Sequence, residues 1–440
     1  MPRLFGTDGV RGIANRDLTP ELAFKLGMAG AKFLSPEIGS IALGRDTRRS
    51  GDMLQSALAS GICATGNDVI DLGILPTPAL AWLIQKLGAG GGAMVSASHN
   101  PAEYNGIKFF ASEGVKLSEE NEEAIEELLE KSNEGRASGK STGRIIDRRD
   151  AVELYIDHVC SGAHGEINLN VAIDCANGAA YKIGPEVFQR LGIAPTTLGI
   201  EPDGLNINDN CGSTHMGALA EVVKSGDFDV GLAFDGDTDR MLAIDENGTF
   251  IDGDHIMAIC AKHRLEKGEL DPAAICVTVM TNIGFDLAMR DLGIEVHKTN
   301  VGDRFVLKEM VTNDITLGGE QSGHIIFHDR NSTGDGIITA IELLSIMRDT
   351  NKPLSELTKV MTTFPQVMRN LKADGVKHVA ESASVLDAIA AGQRELGDRG
   401  RVLVRPSGTE PLIRVMVESD SQEKAERIAD NICQVIEDQI

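Results

Sequence analysis

The amino-acid sequence predicts an α/β protein in which three related α/β domains, with mainly parallel sheets, precede a smaller C-terminal α+β domain. Two observations predict this fold class: a strand–turn–helix–strand pattern recurs three times, and the pattern changes in the tail. The length of 440 residues agrees, since a domain usually takes about 100–200 residues. We expect domain ranges of 1–155, 156–253, 254–367 and 368–440.

Each copy of the pattern runs from a short apolar segment through a polar turn into a helix that ends near a glycine, and then into a second apolar segment. The copies begin at Ser40–Gly44, Asn170–Asp174 and Ala274–Val279. A strand, a helix and a second strand in this order form a βαβ unit, because parallel strands need a long connection. We therefore expect parallel strands covered by helices in all three domains.

The tail has a different pattern. Two strand-like runs, Arg401–Val404 and Leu412–Val417, flank a loop rich in proline, serine and glycine. A helix with one apolar face is expected from about residue 422 to residue 435. This order predicts a small α+β domain.

The composition excludes several classes of protein. Asp and Glu number 66 against 42 Lys and Arg, which gives a net charge of −24, and aromatic residues make up 4% of the chain. Nucleic acids and anionic membranes attract basic surfaces, so neither is an expected partner. A small anionic ligand stays open, because its binding depends on the local field.

The cysteines and the N-terminus predict a cytoplasmic protein. The seven cysteines are scattered and contain no C-x-x-C pair, so we expect reduced thiols and no zinc site. The first residues lack the apolar core of a signal peptide, and no apolar run approaches the roughly 20 residues that span a bilayer.

Three carboxylates at alternate positions follow an apolar strand: Asp235, Asp237 and Asp239. Alternate side chains share one face of an extended backbone, so the carboxylates repel one another unless a hard divalent cation joins them. A calcium EF-hand loop is disfavoured, because Arg240 stands where its sharp turn needs glycine. A solvated acidic turn is the plain alternative. The pattern favours Mg²⁺, which keeps open positions for substrate oxygens.

A second motif, Ala93–Pro101, places Ser96 and Ser98 in a turn after an apolar strand. A serine in such a turn is well placed as an exposed nucleophile. His99 and the later Lys108 would handle protons and negative charge. An ordinary turn of serine, asparagine and proline explains the segment equally well.

Three further segments carry weaker signals. In Gly318–His324, Glu320 and Ser322 stand at alternate positions, which suits hydrogen bonds to vicinal hydroxyls. His324 in the same segment could titrate near neutral pH. A turn with a buried histidine is an equal alternative. The Arg405–Pro411 loop, with Arg414 beyond it, has the hydroxyls, backbone N–H groups and arginines of a phosphate cradle. Phe5–Gly12 is a glycine-rich turn without the lysine of a nucleotide-binding loop.

Together and in this order, the five segments closely resemble the α-D-phosphohexomutase family, and the similarity extends from Leu4 to the C-terminal helix. The sequences of Ser96–Pro101 and Gly319–His324 resemble those of the glucosamine branch of that family. The loop Asn300–Phe305 lacks the histidine of the phosphomannomutase/phosphoglucomutase branch, which also favours glucosamine.

The resemblance implies four domains with mixed, mainly parallel sheets around a central cleft. Ser98 would be the phosphorylated nucleophile, with Ser96 its rival on sequence alone. One Mg²⁺ would be held by a phosphoserine oxygen at Ser98 and by Asp235, Asp237 and Asp239.

The remaining site residues follow from the same resemblance. Glu320 and Ser322 would bind sugar hydroxyls. The phosphate that does not react would be held by Arg405, Ser407, Gly408, Thr409 and Arg414. Charge partners would be Arg11, Lys108 and Arg240, and the candidates for the acid/base role are His99, Lys108 and His324.

The activity implied is the interconversion of glucosamine 6-phosphate and glucosamine 1-phosphate through a phosphoserine and a glucosamine 1,6-bisphosphate, which also primes the serine. The product would feed UDP-N-acetylglucosamine and cell-wall precursor synthesis. The alternatives are the same chemistry on glucose or mannose phosphates, a phosphoserine-dependent phosphatase, or a calcium-binding or inactive carbohydrate-binding protein. Two phosphate sites favour a mutase over a hydrolase, and the resemblance allows a homodimer.

Overall fold

Four β-sheets organise the chain within the residues that the computed structural model describes, which are 4–6, 8–130, 135–163, 165–372, 376–406 and 412–439. Three sheets are mixed and the fourth is antiparallel. The chain divides into two compact units. One contains residues 1–280 and 295–359, and the other contains residues 281–294 and 360–440.

The first sheet has six strands in its described residues. Its elements in chain order are β1 (Val10–Ile13), α1 (Pro20–Leu34), β2 (Ser40–Arg45), α2 (Gly51–Ala64), β3 (Asp68–Ile74), α3 (Thr77–Leu87), β4 (Gly91–Val95), β5 (Tyr104–Ala111), α4 (Glu119–Glu130), β6 (Ile145–Asp147) and α5 (Val152–Ser161). The strand order is β1-β5-β4-β2-β3-β6. β2 is parallel to β3 and β4, and β3 is parallel to β6, whereas β5 is antiparallel to β4 and β1.

The second sheet repeats this arrangement with five strands. Its elements are β7 (Val171–Asp174), α6 (Ala180–Arg190), β8 (Thr196–Leu198), α7 (Gly217–Ser225), β9 (Val230–Phe234), β10 (Met241–Asp245), β11 (Phe250–Ile251) and α8 (Gly253–Lys267). The order is β11-β10-β9-β7-β8, with β7 parallel to β8 and β9, and with β10 antiparallel to β9 and β11.

The third sheet has four strands. The elements of this part of the chain are β12 (Ala274–Thr278), α9 (Ile283–Leu292), β13 (Glu295–Thr299), α10 (Asp303–Thr312), β14 (Leu317–Gly319), β15 (Ile325–Phe327), α11 (Gly336–Thr350) and α12 (Leu354–Leu357). The order is β13-β12-β14-β15, with β12 parallel to β13 and β14, and with β15 antiparallel to β14.

These three sheets share the feature that positions the site. In each, a buried strand with a parallel neighbour leads into a loop, and the chain returns as an antiparallel strand: β4 to β5, β9 to β10 and β14 to β15. The serine motif, the aspartate motif and the Glu320 motif occupy these three loops. In open α/β sheets, ligands bind beyond the carboxyl ends of the strands, which is where the three loops lie.

Close helix packing in the first domain depends on glycine. A Cβ on Gly27 of α1 would lie 2.2 Å from the Leu58 carbonyl oxygen, and a Cβ on Gly61 of α2 would lie 2.0 Å from that of Phe24. Two helices can approach this closely only where side chains are absent. The glycines therefore set the α1–α2 distance, and the apolar core around Leu26 forms beneath this contact.

The tail sheet belongs to the second unit. Its elements are β16 (Gln366–Lys372), α13 (Val376–Ala380), α14 (Ala383–Leu396), β17 (Gly400–Pro406), β18 (Leu412–Ser419) and α15 (Gln422–Glu437). β18 is central and antiparallel to both β16 and β17. Ile428 and Ile432 of α15 pack with Val415 and Val417 of β18 in one core. The predicted fold class is confirmed, with β16 as a strand that the sequence pattern did not reveal.

Glu418 explains why residues 281–294 belong with the tail. Its fully buried carboxylate pairs with Arg401 at 2.7 Å and accepts a 2.9 Å hydrogen bond from the backbone N–H of Ile283, at the start of α9. A carboxylate at a helix N-terminus is stabilised by the helix dipole and by the N–H groups there. Helix α9 is therefore anchored to the tail sheet.

Two general expectations can be compared with the structure. All seven cysteines are free thiols. Among the described residues, no helix is long and apolar enough to cross a membrane.

Candidate active site

Ser98 lies in the turn between β4 and β5 in a backbone conformation that is unusual for serine. Its φ is +51° and its side chain is buried. The hydroxyl donates a 2.6 Å hydrogen bond to Oδ2 of Asp235, and Nδ1 of His99 lies 3.4 Å from Oγ of Ser98. The first and second sheets therefore contribute to one site at this hydroxyl.

The three aspartates of the second motif form a compact buried cluster. One carboxylate oxygen from each of Asp235, Asp237 and Asp239 lies within 4.8 Å of the others. Among the described residues, Oδ1 of Asp237 and Oδ1 of Asp239 are buried and have no hydrogen-bond partner. Buried carboxylate oxygens without partners are costly unless a cation satisfies them, so the donor set fits a hard divalent ion.

The pKa shifts of the cluster follow from burial and mutual repulsion. Burial raises the pKa of Asp235 well above its ordinary value, and the charges of Asp239 and Asp237 raise it further. Burial also raises the pKa of Asp239, but His324 and nearby cations outweigh it, so the pKa ends well below the ordinary value. The protein groups that favour the charged form of Asp235 therefore do not offset its burial and the repulsion from the other two carboxylates.

Lys108 joins the aspartate cluster to the N-terminal motif. Its ammonium lies 2.9 Å from Oδ2 of Asp237 and 3.1 Å from Oδ2 of Asp8. Burial lowers the pKa of Lys108, but these two carboxylates outweigh it and the pKa is raised. Thr77 donates a 2.7 Å hydrogen bond to the same Asp237 oxygen. Lys108 is therefore held as a buried cation.

Asp8 extends this network toward the third domain. It pairs with Arg11 and accepts a 2.8 Å hydrogen bond from Lys116, which in turn pairs with Asp303 at the start of α10. The flanking lysines and Arg11 outweigh the effect of burial and hold the pKa of Asp8 well below its ordinary value. Loops from the first and third sheets are thus linked by alternating charges.

His324 is buried between two carboxylates. Its Nδ1 lies 3.4 Å from Oδ2 of Asp239, and its Nε2 lies 3.6 Å from Oδ2 of Asp303 and accepts a 3.2 Å hydrogen bond from the Gly334 N–H. With Nε2 as the acceptor, Nδ1 carries the proton and faces Asp239. Burial lowers the pKa of His324, but the two aspartates outweigh it and raise the pKa.

His99 has the opposite environment. Burial, together with the charges of Arg240 and Arg11, lowers its pKa to about 4. The imidazole beside Ser98 is therefore neutral at neutral pH, whereas Lys108 is charged. The three acid/base candidates differ in environment as well as in position.

Arg11 and Arg240 supply positive charge at the site. Burial lowers the pKa of Arg240, but Asp239 and Asp235 outweigh it and raise the pKa. Among the described residues, the buried Nε atoms of Arg11 and Arg240 have no hydrogen-bond partner. Guanidinium N–H groups of this kind suit phosphate oxygens.

Glu320 and Ser322 lie in the loop between β14 and β15. Oε1 of Glu320 accepts a 3.0 Å hydrogen bond from the N–H of Gly302, and Ser322 donates a 3.4 Å hydrogen bond to Oε2. Both side chains are half-buried. Glu320 therefore supports the Asn300–Phe305 loop.

The second unit contains the two predicted arginines. Arg405 of β17 and Arg414 of β18 are directly paired in the antiparallel register, so their side chains leave the same face of the sheet. Burial lowers the pKa of Arg405, and the charge of Arg414 lowers it further. Ser407, Gly408 and Thr409 lie outside the described residues.

Several residues at the site were not identified as site residues from the sequence. They are Asp8, Asp46, Arg48, Thr77, Lys116, Asn208 and Asp303. Asp46 and Arg48 could have been predicted from the sequence, because their polar turn directly follows a strand of the same sheet as the serine motif. Asp8 lies in the Phe5–Gly12 segment, but nothing local indicates that it meets two lysines.

Family models match nearly the whole chain. The four models describe the phosphoglucomutase/phosphomannomutase α/β/α domains I, II and III and the C-terminal domain, and they match residues 2–136, 153–248, 252–364 and 346–435.

Similar curated proteins are named phosphoglucosamine mutase. That of Pelotomaculum thermopropionicum is 50% identical over 443 residues, with all of both chains covered. That of Desulforudis audaxviator is 49% identical, with 99% of this chain and 98% of the relative covered. That of Moorella thermoacetica is 51% identical, with coverage of 97% and 98%.

Solved structures have the same fold. A phosphoglucomutase/phosphomannomutase family protein of Burkholderia thailandensis superposes with a TM-score of 0.84 at 24% identity, covering 99% of this chain and 97% of its own. The N-acetylphosphoglucosamine mutase of Aspergillus fumigatus, solved with GlcNAc-6P and magnesium, has a TM-score of 0.69 at 17% identity, with coverage of 99% and 95%. Together with the family models and curated relatives, these comparisons confirm the resemblance of the five motifs: the chain belongs to the phosphoglucomutase/phosphomannomutase family of α-D-phosphohexomutases.

Proposed function

We propose that this enzyme is a phosphoglucosamine mutase that interconverts glucosamine 6-phosphate and glucosamine 1-phosphate. The observation that carries the proposal is the 2.6 Å hydrogen bond from the Ser98 hydroxyl to Asp235 within a buried carboxylate cluster. A hydroxyl that touches a buried carboxylate cluster, with the cations Lys108 and Arg240 beside that cluster, suits phosphoryl transfer, which depends on positioning and charge stabilisation. Relatives that are 49–51% identical carry this name.

The aspartate cluster is the proposed metal site. Asp235, Asp237, Asp239 and a phosphoryl oxygen on Ser98 would hold one Mg²⁺. When bound, the ion neutralises charge on the transferring phosphoryl group. The buried oxygens of Asp237 and Asp239 that have no partner support this assignment.

The chemistry takes two balanced half-reactions. In the first, the bond between phosphorus and Oγ of phosphorylated Ser98 breaks as O1 of glucosamine 6-phosphate bonds to phosphorus, and the proton that O1 loses is balanced by the proton that Oγ gains. The product is glucosamine 1,6-bisphosphate. After the bisphosphate reorients, the bond from phosphorus to O6 breaks, Oγ bonds to phosphorus, and O6 takes up the proton that Oγ loses.

The cycle requires a second phosphate site. Arg405 and Arg414, with Ser407, Gly408 and Thr409 between them in sequence, are the proposed residues. A phosphatase needs only the reactive site, so the direct pairing of Arg405 with Arg414 in the register of β17 and β18 supports a mutase. Glu320 and Ser322 would accept and donate hydrogen bonds to sugar hydroxyls.

The cellular setting follows from the proposal. The product would enter UDP-N-acetylglucosamine and cell-wall precursor synthesis, and the seven free thiols support a cytoplasmic location. A homodimer stays a prediction.

The test combines mass spectrometry with ³¹P NMR. The purified protein, primed with glucosamine 1,6-bisphosphate, should carry one phosphate on Ser98 and convert glucosamine 6-phosphate faster than glucose or mannose 6-phosphate. Ser98→Ala should lose the phosphate and lower kcat by roughly a thousandfold or more. Ser60→Ala, which removes an exposed helix hydroxyl, is the matched control.

The outcomes separate the alternatives. Equal turnover of the three sugar phosphates would overturn the glucosamine assignment. Release of inorganic phosphate without isomerisation would identify a phosphatase, and an active Ser98→Ala variant would overturn the role of the serine.

A further inference from the structure

A fully buried ion pair lies directly beneath the serine loop. Nε of Arg48 contacts Oδ2 of Asp46 at 2.9 Å, and neither side chain is exposed to solvent. The guanidinium donates further hydrogen bonds to main-chain oxygens of the loop, to Ser98 at 2.9 Å, to Asn100 at 2.7 Å, to Tyr104 at 3.0 Å and to Pro101. One side chain thus binds carbonyl groups from both ends of the loop.

Ser96 connects the same ion pair to the amide side of Ser98. Its hydroxyl donates a 2.6 Å hydrogen bond to Oδ2 of Asp46 and accepts a 2.9 Å hydrogen bond from the Ser98 N–H. The Ser96 hydroxyl is thus engaged by Asp46 and by the Ser98 N–H, whereas the Ser98 hydroxyl contacts Asp235 of the aspartate cluster. This contact explains why two serines occur in the motif although only Ser98 reaches the aspartate cluster.

The two sets of contacts fix both peptide groups of Ser98. The Ser98 N–H donates to Ser96, and the Ser98 carbonyl accepts from Arg48. Between these two peptide groups, Ser98 itself adopts a φ of +51°. Residues with a Cβ rarely adopt this conformation unless surrounding contacts enforce it. The conformation in turn directs the hydroxyl toward Asp235.

The second domain contributes one more contact of this kind. The side-chain amide of Asn208 donates hydrogen bonds to the carbonyl oxygens of Ser98 at 2.9 Å and Asn100 at 3.1 Å. The carbonyl of Ser98 therefore receives donors from both domains that form the reactive site.

We infer that Arg48 and Ser96, joined through Asp46, are positioning residues that hold Ser98 in the backbone conformation required for phosphoryl transfer. The inference rests on the proposed role of Ser98 as the phosphoryl carrier. None of these residues touches the substrate. They act by aiming Oγ, and a small displacement of a reacting atom is enough to slow a transfer step strongly.

The first experiment uses Ser96→Ala, which removes one oxygen and leaves the ion pair intact. We expect kcat with glucosamine 6-phosphate to fall about 10- to 100-fold, with KM values for this substrate and for the 1,6-bisphosphate within about threefold of wild type. The phosphoserine ³¹P resonance should shift or broaden, while the rise in melting temperature caused by Mg²⁺ is unchanged. Ser96→Thr keeps the hydroxyl and should restore most of kcat.

Thr65→Val is the matched control. It also removes a buried hydroxyl from the first domain, where Thr65 donates a 2.7 Å hydrogen bond to the Ile62 carbonyl, and it should leave kcat within about twofold of wild type if the loss in Ser96→Ala is specific.

Arg48→Lys and Asn208→Ala provide an independent check at the carbonyl of Ser98. Lysine keeps a charge beside Asp46 but lacks the planar set of N–H donors, and alanine removes only the contacts from the second domain. Both variants should lower kcat more than they raise KM. Asn208→Ala is the milder change, so it keeps the test valid if Arg48→Lys does not fold.

Two results would overturn the inference. One is a kcat within twofold of wild type in folded Ser96→Ala and Asn208→Ala. The other is a loss in Ser96→Ala that Ser96→Thr does not restore. Failure of the proposed function is distinguishable, because wild type itself would then show no phosphate on Ser98 and no isomerisation.

Discussion

The hydroxyl of Ser98 and the carboxylate of Asp235 lie 2.6 Å apart although the two residues are 137 positions apart in sequence. Ser98 lies in the loop that follows β4 of the first sheet, and Asp235 directly follows β9 of the second. The contact makes the serine loop and the aspartate cluster parts of one site.

Removing one carboxylate of the cluster should abolish cation binding without destabilising the protein. Burial and two neighbouring carboxylates already disfavour the charge on Asp235, so Asp235→Asn relieves repulsion when no metal is present. We expect Mg²⁺ at 100 times its Kd to stabilise wild type by about 2.7 kcal/mol and so to raise its melting temperature. Asp235→Asn should lose this increment in a thermal-shift titration after chelation.

Glu37→Gln, at an exposed position, controls for the loss of one negative charge and should keep the full increment. A Mg²⁺-dependent increment in Asp235→Asn equal to that of wild type would contradict the proposed metal site.

Lys108 should be strongly coupled to Asp237. Lys108→Met leaves the buried Asp237 carboxylate without its cation, and breaking a buried ion pair costs about 3–5 kcal/mol. Lys108→Met/Asp237→Asn should recover about 1–3 kcal/mol of that loss in metal-free urea denaturation. Lys25→Met, at an exposed position, should change the free energy of unfolding by less than about 0.5 kcal/mol. Additive effects of the two changes would show that the pair is not coupled.

Arg405→Ala should weaken retention of the bisphosphate. The change removes one of two paired arginines in the tail sheet, so the phosphate that does not react loses a charged partner. We expect KM for glucosamine 6-phosphate to rise about tenfold or more, with more 1,6-bisphosphate released per turnover. Coupled-enzyme kinetics and ³¹P NMR of the released phosphates measure both quantities.

Arg394→Ala is the control, since it removes an exposed arginine from the same unit. Unchanged KM and unchanged release of bisphosphate in Arg405→Ala would remove this arginine from the phosphate site.

Gly61→Ala should destabilise the first domain by about 1–3 kcal/mol, because its Cβ would lie 2.0 Å from the Phe24 carbonyl oxygen and force α1 away from α2. Gly217→Ala is the matched control at the start of α7, where an added Cβ meets nothing within 4 Å. That variant should be neutral or slightly stabilising. Chemical denaturation of both proteins measures the difference, and equal stabilities would show that α1 and α2 do not need the close approach.

The sequence by itself determined the fold class, and it supplied most of the residues proposed for the site. Strand, turn and helix signals are local, so the βαβ copies and the apolar segments before Ser98 and Asp235 were readable without a structure. The alternation of Asp235, Asp237 and Asp239 indicated a cation site for the same reason, since neighbours on one extended segment necessarily share a face.

Only the tertiary structure decided which of two serines reaches the aspartates and which supports the loop. Ser96 and Ser98 are equivalent as local patterns, and they differ because Asp46 and Arg48, from a neighbouring strand, bind one while Asp235 binds the other. The partners of Lys108 and His324 were likewise hidden, because Asp8, Asp237, Asp239 and Asp303 come from different loops. Contacts between distant segments depend on how the sheets pack, and no local pattern of residues contains that information.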